Sequence, residues 1–207
     1  VGDIFNGIAA IAQLGMFAVV AFGAWIAWRQ LHSWRDERLS LRLQELAEEI
    51  VALTSELADR ISEIRSVMGY GPPAGEEDDG TYDYRRRLKE LAELDSDFLE
   101  LRRLRSRTKV LVHSEPLLDA IDAFFEVRSK VALGLRSRIR TVLRENGGQS
   151  MTEAEQKRIH RDDGVIWEGD FEDDEIVRTL STSLKTIETE LSPIVRFEIR
   201  RIDRTTI

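Results

Sequence analysis

The sequence predicts an all-α protein: an N-terminal transmembrane helix that continues into a cytoplasmic antiparallel bundle of about four long helices. Three observations carry this. Residues 4 to 28 contain no Asp, Glu, Lys, Arg or His. From Ala24 to Met68 there is neither Gly nor Pro, and apolar residues recur there at steps of three and four. Each later segment repeats that helical spacing between Gly-rich, Pro-containing or acidic breaks. The chain has 207 residues, 42% hydrophobic and 33% charged, with a formal net charge of −8. Such a composition excludes wholesale disorder and collagen-like material, and the absence of Cys excludes a disulfide-stapled scaffold.

The first element is the 25-residue uncharged stretch Ile4–Trp28. At about 1.5 Å per residue it exceeds the ~30 Å hydrocarbon thickness of a bilayer. Trp25, Trp28 and Trp34 gather at its C-terminal border with Arg29 and Arg35, where amphipathic indoles and cations favour the membrane interface. A signal peptide fits poorly, because its apolar region would be shorter and its flank basic, whereas Asp3 precedes this stretch. Arg29, Arg35, Arg38 and Arg42 follow the stretch and no Lys or Arg precedes it, so the N-terminus is expected outside and the body in the cytoplasm. Gly23 and Ala27 form a small-xxx-small pair suited to helix association in the membrane.

A heptad-like seam comes next: Leu39, Leu43, Leu46, Ile50, Leu53, Leu57, Ile61, Ile64 and Met68, with a stutter between Leu57 and Ile61. Leu43, Leu46, Ile50, Leu53 and Leu57 are the candidate association positions outside the span. The acidic, Gly- and Pro-rich segment 69–82 ends this helix. A second helix is expected over 84–110, with Leu88, Leu91, Leu94, Phe98, Leu101 and Leu104 inward. Ser114 and Pro116 open a third, closed by Gly147-Gly148. Thr152 with Glu155 forms a capping box for a short helix to about Arg161. The segment 162–175, with eight acids and no base, is expected to be a loop pinned by Trp167 and Phe171; with Asp170 and Asp174 these residues form a candidate docking loop. A last helix starts near Asp173 and is expected to kink or stop at Pro193; the tail 194–207 fits a helical face about as well as a strand alternation, and the helical context favours helix.

The domain division is therefore an anchor, 1–28, and a bundle, 29–207. No catalytic motif stands out. Cys is absent, there is no phosphate-cradling glycine loop, and His32, His113 and His160 are far apart. His160 lies two residues before Asp162, a carboxylate that could steer it as a base. Glu76 to Asp79 and the acids of 162–175 offer charge for a cation without the alternating spacing of a calcium loop. Residues 128–144 carry six basic side chains and no acid, yet the chain's pI is near 5.1 and no nucleic-acid motif is present. Anionic lipid or the chain's own acidic loops suit such a stripe better.

Trp28-Arg29-Gln30-Leu31, then Leu46-Ala47-Glu48-Glu49-Ile50, and later Ile166-Trp167, Asp174-Glu175-Ile176 and Ile187-Glu188 before Pro193, resemble segments of bacterial single-pass, membrane-anchored helical proteins. The resemblance implies a bacterial origin and an inner-membrane location, and no particular activity. The expected role is a non-enzymatic membrane-anchored interaction or scaffold protein, without cofactor or metal. It would bind a second copy or another membrane or cytoplasmic protein, and no nucleic acid. A signalling or defence accessory subunit is the alternative, and a metal-dependent enzyme using 162–175 stands behind both.

Overall fold

Hydrophobic spacing and its breaks resolve into six helices in the computed structural model, which describes residues 2–75, 78–148, 151–169 and 174–195. They are α1 (Gly2–Arg65), α2 (Tyr82–Glu93), α3 (Asp95–Leu111), α4 (Glu115–Asn146), α5 (Glu153–Ile166) and α6 (Glu175–Val195). No strand occurs among the described residues. The fold is all-α among the described residues, with one helix more than the spacing predicts.

The differences have local causes. The expected second helix breaks at Leu94 into α2 and α3, and the inward line Leu91, Leu94, Phe98, Leu101 and Leu104 stays buried across the break. Helix α5 runs past Arg161 to Ile166, so the expected loop 162–175 begins only at Trp167. Asp162-Asp163-Gly164 reads as a turn by composition, but Ile166 docks on α4, and this tertiary contact overrides local preference. Gly134 makes the room: a Cβ there would lie 3.2 Å from Ile166 Cγ1. Pro193 does not stop α6, which continues to Val195. Of the tail 194–207, expected to be helical, Ile194 and Val195 continue α6, and 196–207 lie outside the described residues.

Two units divide the chain, 1–44 and 45–207, with the boundary inside α1. The hydrophobic core belongs to the second. Within α1 its line is Leu46, Ile50, Thr54, Leu57, Ile61 and Ile64. Leu53, expected on the seam, is only partly buried, and Thr54 takes the inward position at 0% exposure. Its hydroxyl donates to Ile50 O at 2.7 Å, so a polar atom enters the core already satisfied by its own helix. Phe124, Ile121, Val131 and Leu135 of α4, with Ile176, Leu180, Ile187 and Leu191 of α6, close the core from the other side.

Ion pairs and hydrogen bonds fix the directions. Arg105 pairs with Asp122 and Arg128 with Asp95, so α3 and α4 run antiparallel. Lys130 with Glu175 and Ser114 with Glu190 show the same for α4 and α6. The two ends of α1's second part meet Arg107 and Arg87, which makes it antiparallel to the α2–α3 pair. Helix starts are marked as the sequence indicates: Ser114 accepts from Leu117 N, and Thr152 and Glu155 complete the capping box. Thr152→Ala should lower the stability of the bundle by about 1 kcal/mol, measurable by chemical denaturation.

In the first unit the described side chains of α1 from Gly15 to Leu39 are exposed. Among the described residues no helix is long and apolar enough to cross a membrane. The expected span Ile4–Trp28 falls in α1, but side chains before Gly15, and that of Ala18, lie outside the described ones. What remains is shorter than the ~20 residues a crossing needs. The fold thus stands as all-α without adding a membrane span to it.

Candidate functional site

The most heavily constrained chemistry lies where α1 ends. Helix C-termini leave carbonyls without intrahelical donors, and here two buried arginines supply them. Arg87 of α2 donates to Ile64 O and, at 2.9 Å, to Met68 O, while its Nε holds Asp83 at 2.7 Å. Arg65, the last residue of α1, reaches the end of α5: its Nε donates to Val165 O at 2.8 Å and its Nη2 to Trp167 O at 3.2 Å. The same guanidinium pairs with Asp174 at 2.8 Å, and the two side chains are 1% and 9% exposed. Asp174 in turn accepts from Ile176 N at 3.0 Å and Val177 N at 3.1 Å, capping α6. Four helix ends therefore meet through two guanidiniums.

Trp167 seals this junction. Its ring lies 5.9 Å from Tyr84 and 4.5 Å under the Arg87 guanidinium. Beside it Glu168 N donates to Arg65 O at 2.8 Å, and Ser62 donates to the Glu168 carboxylate. Trp167 and Asp174, two members of the candidate docking loop, are thus engaged by the chain's own helices. Asp170 and Phe171, the other two, lie outside the described residues.

Two carboxyls of the junction are pushed in opposite directions. Burial acts to raise Asp83, but hydrogen bonds from Arg87 and Arg86, the charge of Arg87 and the Tyr70 N–H outweigh it and hold the carboxyl below its ordinary value. Asp163 is raised, chiefly by burial, with Asp162 adding and Arg138 and the Trp167 indole opposing. A depressed carboxyl contributes stability above its ordinary pKa and loses it as pH falls through the folded value. A raised one, such as Asp163, contributes below its ordinary pKa and loses that as pH rises through the folded value. Asp83→Asn should therefore be less stable than the parent at neutral pH and show a shallower further loss below about pH 4. Denaturation curves across that range check it, and parallel curves for the two proteins would contradict it.

The other sequence candidates fall as follows. Leu46, Ile50 and Leu57 are fully buried against the chain's own helices, Leu53 is partly buried, and Leu43 lies at the edge of the first unit. The seam beyond Leu46 is thus already filled. Trp25, Trp28 and Trp34 are 50%, 61% and 64% exposed. Trp25 stacks on Phe22 at 5.9 Å, and the Arg29 guanidinium sits 5.7 Å from its ring. Gly23 has open space around it and Ala27 is exposed. The side chains of Arg35 and His32 lie outside the described ones.

His160 is exposed on α5 and His113 adopts a left-handed backbone, φ 56°, between α3 and α4. Asp78 and Asp79 accept from Gly80 N and Thr81 N at 2.8 and 2.9 Å, so these acids build the turn into α2; Glu76 and Glu77 lie outside the described residues. Among the described residues no three of His, Asp and Glu come together as metal ligands would. Four of the six cations in the basic stripe of α4 meet the chain's own acids: Arg128 with Asp95, Lys130 with Glu175, Arg138 with Asp163 and Arg144 with Glu155.

A cleft of about 280 Å³ opens beside the junction. Arg60 with Glu63 and Arg86 with Glu90 line it as mutual pairs, and Arg86 covers the Tyr70 ring at 4.3 Å. These groups can hold one another and shape a polar wall, but they present no nucleophile activated by a base. Sequence reasoning missed Arg65 and Arg87, and a signal existed: each is a cation on the inward side of an apolar helical line. The chain matches no protein-family model, no curated protein and no solved structure.

Proposed function

We propose that the chain is a non-enzymatic interaction or scaffold protein anchored in the bacterial inner membrane by Ile4–Trp28, with its N-terminus outside and its bundle in the cytoplasm. One observation carries the anchor. Met16, Phe17, Val19, Val20, Phe22 and Trp28 are all more than 60% exposed, and at 100° per residue they point around the whole circumference of α1. A single partner helix would cover one face of such a surface. Hydrocarbon covers every face, and each large apolar side chain removed from water contributes about 1.5–3 kcal/mol. The uncharged sequence continues upstream to Ile4, which gives the length a crossing needs.

Alkaline carbonate washing of membranes tests the anchor. The full chain stays in the pellet, and Val20→Arg, which places a charge costing about 2.5–3.5 kcal/mol in the middle of the run, releases a share of it. Complete release of the parent chain would contradict the reading. The interaction role predicts a cross-linked second copy or a recoverable partner protein. A strict monomer by native mass, with no partner retained, would count against it. The alternative, an accessory subunit relaying a change across the membrane, draws its support from Arg65: the last residue of α1 is the one that ties α5 to α6.

A further inference from the structure

We propose that Arg29 and Arg38, with a smaller share from Arg42, form a collar that selects anionic lipid headgroups. This rests on the membrane reading above and adds a lipid class to it. The first support is a contrast in pairing. In the bundle four of the six cations of 128–144 on α4 are paired with its own acids. Among the described residues no acid pairs with Arg29, Arg38 or Arg42, and all three are exposed. Their charge is available to an external anion.

The second support is direction. Helical side chains lean toward the N-terminus of their own helix, which here is back toward the uncharged run. Arg29 shows the lean directly, its guanidinium lying over the ring of Trp25, one turn earlier, at 5.7 Å. An indole at an interface is held at headgroup level, so this guanidinium is held there with it. Its planar fork of donors matches the oxygens of a phosphate diester.

The third support is distance. Along the helix Arg38 starts about 15 Å and Arg42 about 21 Å beyond Trp28, at about 1.5 Å per residue. The field of an anionic leaflet decays over a Debye length of about 8–10 Å. The lean shortens the reach of Arg38 into that range and leaves Arg42 beyond it, in the weak tail of the field. Glu37 is the described acid nearest in sequence, and it is turned about 100° away from Arg38. A collar of this kind gives the order Arg29, then Arg38, then Arg42.

Fluorescence quenching by brominated lipids tests it on the full chain. Trp25, Trp28 and Trp34 report the lipids around the collar, while Trp167, packed against the core, supplies a constant background. The protein is reconstituted in vesicles of phosphatidylcholine mixed with phosphatidylglycerol, one lipid brominated at a time. Brominated phosphatidylglycerol should quench more than its share of the bilayer predicts, and added salt should shrink the excess. One arginine near an anionic surface corresponds to about fivefold in lipid preference at low salt. Arg29→Gln should remove most of the excess, Arg38→Gln less and Arg42→Gln least, while Arg136→Gln with Arg140→Gln on α4 should leave it intact. Equal quenching by the two lipids overturns the collar and leaves the anchor standing. No quenching by either overturns the anchor, and the collar with it.

Discussion

Asp174→Ala should destabilise the bundle by about 3–5 kcal/mol, because it strands the buried Arg65 guanidinium without its counter-charge. The loss of the α6 cap adds about 1 kcal/mol. For a bundle of this size each kcal/mol moves the melting temperature by about 2–4 °C, so a drop of roughly 10 °C or more is expected. The adjacent Glu175→Ala is the control. Its pair with Lys130 is 62% and 45% exposed on the two sides. An exposed pair contributes at most about 1 kcal/mol. Equal losses in the two variants would contradict the junction. The double replacement Arg65→Met with Asp174→Leu should recover much of the stability, since the cost lies in the unpaired charge rather than in the missing pair.

Arg87→Ala should be comparably costly, about 3–5 kcal/mol. It frees the carbonyls of Ile64 and Met68, releases Asp83 and removes the surface on which Trp167 rests. Arg86 contacts the same Asp83, but its side chain is 25% exposed against 1% for Arg87. Arg86→Ala should therefore cost no more than about 1 kcal/mol. Chemical denaturation of the two variants separates the readings: if Arg86→Ala were the more damaging, the carbonyls at the end of α1 would not depend on Arg87.

The all-α class and most helix starts were legible in the sequence because apolar spacing and caps are local signals. Ser114 and Thr152 cap α4 and α5 as their side chains indicate. What was not legible depends on contacts far apart in sequence. Asp162-Asp163-Gly164 is a turn by composition and a helix because Ile166 finds Gly134. The acids of 162–175 look like a solvated surface, yet Asp174 is buried because Arg65, more than a hundred residues earlier, needs a counter-charge. The basic run on α4 looks like a surface for phosphates, yet four of its six charges are met by acids of α3, α5 and α6 that no local window contains. The seam of α1 is a single pattern in sequence, but Leu46, Ile50 and Leu57 are consumed by the bundle while Leu39 stays half exposed. Periodicity records that a face is apolar and leaves open what covers it.

Single-cysteine accessibility tests the anchor most directly, and the absence of native Cys makes every introduced thiol the sole reactive one. Val20→Cys and Ser106→Cys, each in the full chain, are treated with a membrane-impermeant maleimide in intact cells and in membranes opened to both sides. The anchor predicts that Cys at position 20 stays unlabelled until detergent dissolves the bilayer, whereas Cys at position 106 labels once the cytoplasmic side is opened. Labelling of position 20 in detergent-free membranes as fast as position 106 would mean that this helix lies in water, and the account of a membrane-anchored bundle would fail.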